Sequence, residues 1–132
     1  MGKIKVLIVD DEADYLSLMQ ERLGFWGYEV LLAVNGKLAL TLIKENQPDI
    51  VILDYFMPGM DGIEVLRQIR KFDQKIPVIM FTAHADIKNI KGAQELGVVA
   101  FIPKLSAYST DIAASLRSVL AMEQKKIEAS KG

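Results

Sequence analysis

The sequence contains no cysteine and only one histidine among its 132 residues. Disulfide bonds and thiolate chemistry are therefore excluded, and a zinc site is disfavoured because zinc prefers cysteine and histidine ligands. Positive charge is not in excess, since 16 Lys and Arg residues stand against 17 Asp and Glu residues. This balance disfavours direct nucleic-acid binding through charge. No apolar run approaches the roughly 20 residues of a membrane span, so we expect no membrane insertion.

The residues that are present predict one globular domain. About half of the chain, 51%, is hydrophobic and 25% is charged, a composition that supports a core and disfavours disorder. The first strand is predicted almost at the amino terminus, which leaves no room for a signal peptide. We therefore expect a soluble, cytoplasmic protein. The domain is predicted to cover residues 1–122, and residues 123–132 are predicted to form a polar tail or the start of a linker.

Short apolar runs alternate with amphipathic helical patterns along the whole chain. The predicted strands are 6–9, 28–33, 50–53, 77–81 and 98–102. One of the intervening helices is predicted over 62–72, with Val65, Leu66, Ile69 and Phe72 on its buried face. Another contains Gly92, which costs roughly 1 kcal/mol relative to alanine, so we expect it to be the least stable helix. The last helix is predicted to bury Ile112, Leu116, Val119 and Leu120.

Five strand–helix units in succession predict an α/β fold with a parallel sheet. Right-handed crossovers then place helices on both faces of the sheet. The favoured arrangement is a flavodoxin-like, doubly wound sheet with strand order 2-1-3-4-5. The second strand is less uniformly apolar than the others, which is consistent with a position near an edge.

Acidic residues follow the two strands that flank the switch point of this predicted sheet. Asp10 and Asp11 come directly after the first strand, and Asp54 comes after the third. Because working sites in such sheets lie beyond the carboxyl ends of the strands, we expect the three carboxylates to converge. Crowded carboxylates favour a hard cation, and Mg²⁺ fits best because it binds few carboxylates and keeps water ligands.

Two further polar side chains are predicted to face the same crevice. Thr82 follows the fourth strand and Lys104 follows the fifth. A hydroxyl and an ammonium group there could bind a phosphoryl group on Asp54. Each residue also has a simpler explanation when it is taken alone. Asp54 could form a turn, the acids after the first strand could favour a helix dipole, Thr82 could be a strand residue and Lys104 a surface lysine. The helix-dipole explanation is the preferred one for Glu12.

The whole set of motifs resembles the CheY-like receiver domain of two-component response regulators. The resemblance is carried by Asp10-Asp11, by Asp54 with its loop 57–62, by Thr82-Ala83 and by Lys104. It covers about residues 5–122. It implies a phosphoprotein module of a phosphorelay that catalyses only its own phosphorylation and dephosphorylation and is not otherwise an enzyme.

The resemblance also implies roles for individual residues. Asp54 would accept a phosphoryl group from a sensor histidine kinase or a histidine phosphotransferase. Asp11 and Asp54 would ligate Mg²⁺, together with the backbone carbonyl of Phe56, while Asp10 would act chiefly through water.

In the same family, the lysine that Lys104 matches pairs with the phosphoryl group, and the threonine that Thr82 matches moves to hydrogen-bond it. The aromatic side chain of Phe101 would then rotate inward and change the surface formed by the fourth helix, the fifth strand and the fifth helix. Phe56 and His84 match the positions that flank the path of water to the phosphoryl group. A bulky Phe56 predicts slow self-dephosphorylation.

Several alternatives remain open on the sequence alone. A haloacid dehalogenase-like phosphatase would also form an aspartyl phosphate, but it needs an Asp-x-Asp motif where this chain has adjacent acids. A nucleotide- or flavin-binding protein would need a phosphate-binding glycine-rich loop at that position. The chain is either a receiver that signals to a separate protein target or a part of a longer protein with a covalently linked output domain. Homodimerisation through the fourth helix, fifth strand and fifth helix is a further expectation, since Val99 and Ala100 make that edge apolar.

Overall fold

The computed structural model describes residues 2–82, 87–103 and 110–131. Strands and helices alternate along these residues, as the sequence predicts. The strands are β1 (Lys5–Val9), β2 (Glu29–Ala33), β3 (Ile50–Leu53), β4 (Val78–Thr82) and β5 (Ala100–Pro103). The helices are α1 (Ala13–Phe25), α2 (Gly36–Asn46), α3 (Gly62–Phe72), α4 (Ile87–Glu95) and α5 (Thr110–Lys131).

All strand pairs are parallel, and the order in the sheet is β2-β1-β3-β4-β5. This confirms the flavodoxin-like order predicted from the sequence and places β2 at an edge. β1 and β3 are neighbours, with Val9 in register with Leu53. The residues that follow these two strands, Asp10 and Asp54, therefore leave the sheet side by side.

Alternate residues of each strand enter two separate hydrophobic clusters. Ile8 and Ile52 belong to the cluster that includes residues of α1 and α5, whereas Leu7 and Leu53 belong to the cluster that includes residues of α2 and α3. Both faces of the central strands are thus covered, which explains why β1 and β3 consist almost entirely of aliphatic residues. Packing on both faces therefore holds the carboxyl ends of the strands in position.

The structure corrects two details of the sequence-based prediction. β5 begins at Ala100 and not at Val98, because the amide of Val98 donates to the carbonyl of Ala93 and closes the end of α4. Phe72 was predicted to be buried but is 43% exposed. It is the last residue of α3, and the ammonium group of Lys44 lies 4.9 Å from its ring centroid, so the ring lies at the rim of the core.

The carboxyl-terminal segment that was predicted to be a polar tail or the start of a linker is helical up to Lys131. α5 thus continues well past Met122. The hydroxyl of Tyr28 donates to Oε1 of Gln124 at 3.3 Å, and Ile127 packs against the cluster that includes α1. One apolar side chain in a charged segment is a weak sequence signal, yet it adds a further turn of packing to the helix.

Candidate functional site

The carboxylates of Asp10 and Asp54 are buried at the carboxyl ends of adjacent strands. Asp10 is 2% exposed and Asp54 is 6% exposed. The amide of Asp54 donates to the carbonyl of Val9 at 3.0 Å, and the amide of Asp10 donates to the carbonyl of Ala33 at 3.0 Å. These bonds extend the pairing of the strands by one step, so the register of the sheet fixes the position of both acids.

A group of three carboxylates lies at the start of α1. One oxygen from each of Asp10, Asp11 and Glu12 lies within 4.8 Å of the others. Oδ1 of Asp10 accepts a hydrogen bond from the amide of Glu12 at 2.9 Å, which turns the chain tightly after β1. Glu12 occupies the N-cap position of α1, in line with the helix-terminal role expected for it. Its carboxylate nevertheless joins the acidic group, which the sequence did not predict.

This acidic group has the chemistry of a site for a hard divalent cation. Carboxylate oxygens are the preferred ligands of Mg²⁺ and Ca²⁺, and the exposed side chains of Asp11 and Glu12 leave an open side for water ligands. Among the residues that the structure describes, these three acids are the group whose ligand atoms lie close enough to hold an ion together. Asp54 was expected to converge with Asp10 and Asp11 but is not a member of this group; its backbone lies beside that of Asp10 because β3 pairs with β1.

Tyr15 is a component of the site that the sequence analysis missed. Its side chain is buried, and its ring lies 5.9 Å from the ring of Phe81 in β4. Burial raises the pKa of the Tyr15 phenol far above its usual range, and the charges of Asp10 and Asp54 raise it further. The phenol is therefore a neutral hydroxyl in the electrostatic field of both acids. The sequence offers one signal for its burial: Tyr15 lies four residues before Met19, on the same face of the helix.

The loop after Asp54 is closed by the first residue of α3. The amide of Gly62 donates to the carbonyl of Tyr55 at 2.7 Å, and a Cβ atom at Gly62 would lie 2.4 Å from the carbonyl oxygen of Asp54. Asp61 caps α3 by accepting a hydrogen bond from the amide of Glu64 at 2.9 Å. The loop is thus pressed against the backbone of the candidate acceptor residue.

Phe56 lies in this loop with 49% of its surface exposed. Its ring meets the ring of Tyr55 edge to face, with centroids 4.7 Å apart. A large apolar side chain therefore stands at the surface two residues after Asp54.

The remaining predicted site residues are described only in part. Thr82 is the last residue of β4 and pairs with Pro103, so its backbone lies at the same edge of the sheet as Asp54. Phe101 is half-buried in β5 and packs against the cluster that includes α2 and α3. His84 and Lys104 lie outside the described residues.

A second concave region lies at the opposite end of the strands, where β1, β2 and β3 begin. It is a cavity of about 670 Å³ whose lining includes Lys3, Lys5, Asp49 and Lys131. The Asp49 carboxylate accepts from the backbone amide of Lys5 at 2.8 Å and lies 3.4 Å from Nζ of Lys131. Asp49 thus joins the start of β1 to the end of α5, and we assign it a structural role.

In the described parts of the chain, no helix combines the length and the apolar character needed to cross a membrane.

Comparison with known proteins identifies the family. Residues 6–117 match the response regulator receiver domain family. A probable transcriptional regulator of Guillardia theta is 41% identical over 123 residues, which are 93% of this chain and 48% of that protein. The sporulation initiation phosphotransferase F of Bacillus subtilis is 39% identical over 100 residues, 76% of this chain and 81% of that protein. The chain spans about half the length of the transcriptional regulators that it matches.

Solved structures show the same architecture. A receiver domain protein of Clostridium thermocellum is 28% identical and superposes with a TM-score of 0.85, covering 98% of both chains. A CheY-like receiver domain protein of Methanospirillum hungatei is also 28% identical, with a TM-score of 0.83 over 96% of this chain and 99% of that one. These relatives do not favour the haloacid dehalogenase-like alternative. The sequence match, the strand order and the acids at the ends of β1 and β3 agree, and the chain therefore belongs to the receiver domain family of two-component response regulators.

Proposed function

We propose that Asp54 is the phosphoacceptor of a phosphorylation-dependent signalling module. The observation that carries this proposal is the placement of two buried carboxylates, Asp10 and Asp54, at the ends of paired strands, where Asp10 also belongs to the acidic group with Asp11 and Glu12. Burying one carboxylate next to another is costly unless a cation or a reaction partner compensates it. Such an arrangement is typical of a site with a chemical role.

The proposed step is the transfer of a phosphoryl group from a phosphohistidine. One Asp54 oxygen attacks phosphorus, a P–O bond forms, and the P–N bond to histidine breaks, leaving its electron pair on the histidine nitrogen. Asp54 reacts as a carboxylate, so no proton has to be removed from it. The protein mainly positions the groups and stabilises charge, as phosphoryl transfer requires.

The residues present fit a magnesium ion. Asp11 and Asp54 would ligate it, with the backbone carbonyl of Phe56 as a further ligand and Asp10 acting chiefly through water. The carboxylate of Glu12 is a full member of the acidic group with Asp10 and Asp11, whereas Asp54 comes to the site from the end of the neighbouring strand β3. Bound Mg²⁺ would supply positive charge to the carboxylates and to the phosphoryl oxygens. Asp10 is fixed by its hydrogen bond to the amide of Glu12, so part of the group is already oriented.

Readout of phosphorylation is proposed to pass through Thr82 and Phe101. The Lys104 ammonium would bind a phosphoryl oxygen and the Thr82 hydroxyl would move to donate to another. Phe101 would then turn inward and change the surface of α4, β5 and α5. This proposal is supported by the position of Thr82 at the end of β4 and by the half-buried state of Phe101.

The lifetime of the phosphorylated state is proposed to depend on Phe56 and His84. Exposed Phe56 places an apolar ring two residues after the acceptor, where it would hinder water from reaching the acyl phosphate. We therefore propose slow self-dephosphorylation.

The proposed partners follow from the family. The phosphoryl donor would be a sensor histidine kinase or a histidine phosphotransferase, and the recipient of the signal a protein target or a linked output domain. The longer relatives are named as probable transcriptional regulators, which supports an output domain in proteins of that kind. A homodimer through α4, β5 and α5 is a further proposal, supported by Val99, which is exposed next to β5. Action in the cytoplasm, where such kinases present their phosphohistidine, completes the proposal.

A phosphorylation assay with a small acyl-phosphate donor and Mg²⁺ tests the acceptor. We expect the intact mass of the wild type to increase by one phosphoryl group, and we expect no increase in Asp54→Asn or when the metal is chelated. Asp61→Asn is the matched control, because Asp61 lies in the same loop and asparagine is also a good N-cap. No incorporation in the wild type, or unchanged incorporation in Asp54→Asn, would contradict the proposal.

A further inference from the structure

Arg70 of α3 binds backbone carbonyls from two different connections of the chain. Its Nε donates to the carbonyl of Leu96 at 2.7 Å and its Nη2 to the carbonyl of Gly97 at 3.2 Å. Its Nη1 donates to the carbonyl of Asp73 at 3.2 Å and to that of Ile76 at 2.9 Å. One side chain thus joins the end of α3, the start of β4 and the end of α4.

The planar guanidinium suits this task because it offers five donors in a fixed arrangement. A lysine at the same position would present one ammonium group and could not reach acceptors on two sides at once. Helix ends leave backbone carbonyls without intrahelical partners, and a cation beside them is favourable. Burial lowers the pKa of Arg70, but a guanidinium stays charged in proteins.

The end of α4 is closed by a second, independent device. The amide of Val98 donates to the carbonyl of Ala93 at 3.3 Å, and the amide of Gly97 donates to the carbonyl of Gln94 at 3.0 Å. Gly97 has a φ of 76°, which favours glycine. This is a Schellman motif, and Arg70 binds the carbonyl of its glycine.

The described side chains of α4 differ in burial along the helix. Ala93, near the carboxyl end, is fully buried, whereas Lys88 and Lys91 are exposed and Ile90 is half-buried. Gly92 separates the two parts, and a Cβ atom there would have only Cδ1 of Ile63 nearby, at 3.8 Å. Among the side chains that the structure describes in α4, the fully buried one thus lies in the carboxyl half, which is also the half held by Arg70 and by the Schellman motif.

The two ends of α4 also lie at opposite ends of the parallel strands. α4 begins after β4, whose carboxyl end lies at the edge that carries Asp54, and it ends before the amino end of β5. A conformational change that begins around Asp54 therefore reaches the amino half of α4 before its carboxyl half.

We propose that Arg70 anchors the carboxyl end of α4, so that phosphorylation displaces the amino half of α4 about this fixed end. Arg70 is a positioning residue and does not take part in the chemistry. The displacement rests on the proposed phosphorylation of Asp54, whereas the anchor itself does not.

Amide hydrogen exchange tests both parts. The variants are Arg70→Ala and Arg70→Lys, and the control is Arg67→Ala, since exposed Arg67 lies on the same helix and contacts Glu64. Each protein is measured with and without beryllofluoride and Mg²⁺, which mimic the phosphorylated state. The readouts are the amides of residues 87–92 and those of residues 96–99, and circular dichroism checks that each variant is folded.

Without beryllofluoride, we expect the amides of residues 96–99 to exchange at least about tenfold faster in Arg70→Ala, which corresponds to about 1.4 kcal/mol. In Arg70→Lys these amides should exchange nearly as fast as in Arg70→Ala, because one ammonium group cannot replace the planar guanidinium. In Arg67→Ala they should exchange as in the wild type. Unchanged exchange in Arg70→Ala would overturn the anchor.

With beryllofluoride, we expect the wild type to respond at residues 87–92 and not at 96–99, and Arg70→Ala to respond at both. An equal response at both ends of the wild-type helix would overturn displacement about a fixed end. If no part of the wild type responds, including the segment around Asp54, the proposed function fails, and the comparison without beryllofluoride still decides whether Arg70 is an anchor.

Discussion

Gly62 is, among the glycines that the structure describes, the one whose added Cβ atom would meet backbone most closely. A Cβ atom there would lie 2.4 Å from the carbonyl oxygen of Asp54 and 2.8 Å from Cα of Tyr55, both of them backbone atoms that cannot rotate away. We expect Gly62→Ala to lower the free energy of unfolding by roughly 1–3 kcal/mol, as other overpacked sites do. Urea unfolding measures this change.

The control for Gly62 is Gly24→Ala. Gly24 lies in α1 with no heavy atom near its missing Cβ atom, so alanine should stabilise the protein by about 0.5–1 kcal/mol. Equal effects of the two substitutions would show that the contact with the backbone of Asp54 is unimportant.

Phe56 allows a prediction about the lifetime of the signal. Phe56→Asn removes the apolar ring and offers a polar side chain that can orient water. We expect the acyl phosphate to decay roughly tenfold faster, a difference of about 1.4 kcal/mol in activation free energy. The decay of phosphorylated protein is followed by intact mass after the donor is removed.

Phe25→Asn is the matched control for Phe56, because Phe25 is an exposed phenylalanine at the end of α1. Its decay rate should equal that of the wild type. An unchanged or slower decay in Phe56→Asn would refute the role of the ring.

Tyr15 predicts a loss of stability at alkaline pH. Its folded pKa is raised above the ordinary value of 10.0, first by burial and then by Asp10 and Asp54. As the pH rises above 10.0, the unfolded chain loses the phenol proton while the folded chain keeps it. The free energy of unfolding therefore falls, by about 1.4 kcal/mol per pH unit from this one group.

Urea unfolding from about pH 8 to about pH 11 checks the Tyr15 prediction. Tyr15→Phe should show a shallower alkaline decline than the wild type, while other titrating groups contribute equally to both. Parallel declines in the two proteins would mean that the Tyr15 pKa is not raised.

At the scale of secondary-structure elements, α4 is the shortest of the described helices and is further weakened by a glycine. Gly92 lies inside it, and its missing Cβ atom would make only an ordinary contact with Ile63. We expect Gly92→Ala to stabilise α4 by about 0.5–1 kcal/mol. Hydrogen exchange at residues 88–95 should slow by a corresponding factor.

Gly24→Ala again provides the comparison for Gly92, since it alters a different helix. It should leave exchange in α4 unchanged. If Gly92→Ala does not slow exchange in α4, the weakness of this helix has another origin.

At the scale of the whole molecule, the fold brings acids from distant parts of the chain to one edge. Their mutual repulsion predicts that Mg²⁺ stabilises the protein by binding the folded state. At a concentration about 100-fold above the dissociation constant, the gain would be about 2.7 kcal/mol. Thermal unfolding in Mg²⁺ and in a chelator measures it.

Asp54→Asn should abolish most of the Mg²⁺ effect, and it should be more stable than the wild type in the chelator because one of the crowded charges is gone. Asp61→Asn, outside the acidic group, should behave like the wild type. A melting temperature of the wild type that does not depend on Mg²⁺ would contradict the site.

The sequence alone determined the order of the elements and the fold. Apolar runs and helical periodicity locate each strand and helix, and the alternation of the two leaves few possible topologies. The position of Asp10 and Asp54 was also predictable, because parallel strands end at one edge. Strands, helices and the residues that directly follow them could thus be assigned without the tertiary structure.

Only the tertiary structure decided the features that depend on contacts between distant residues. Tyr15 entered the site through the contact of its ring with Phe81 of β4, and Glu12 joined the acids through a turn. The end of α5 contacts the rest of the domain through Ile127, Gln124 and Lys131. Phe72 stayed exposed although its periodicity favours burial. The four acceptors of Arg70 come from two separate connections, and no local pattern in the sequence brings them together. Periodicity indicates which face of an element is apolar, but the approach of neighbouring elements decides what that face contacts.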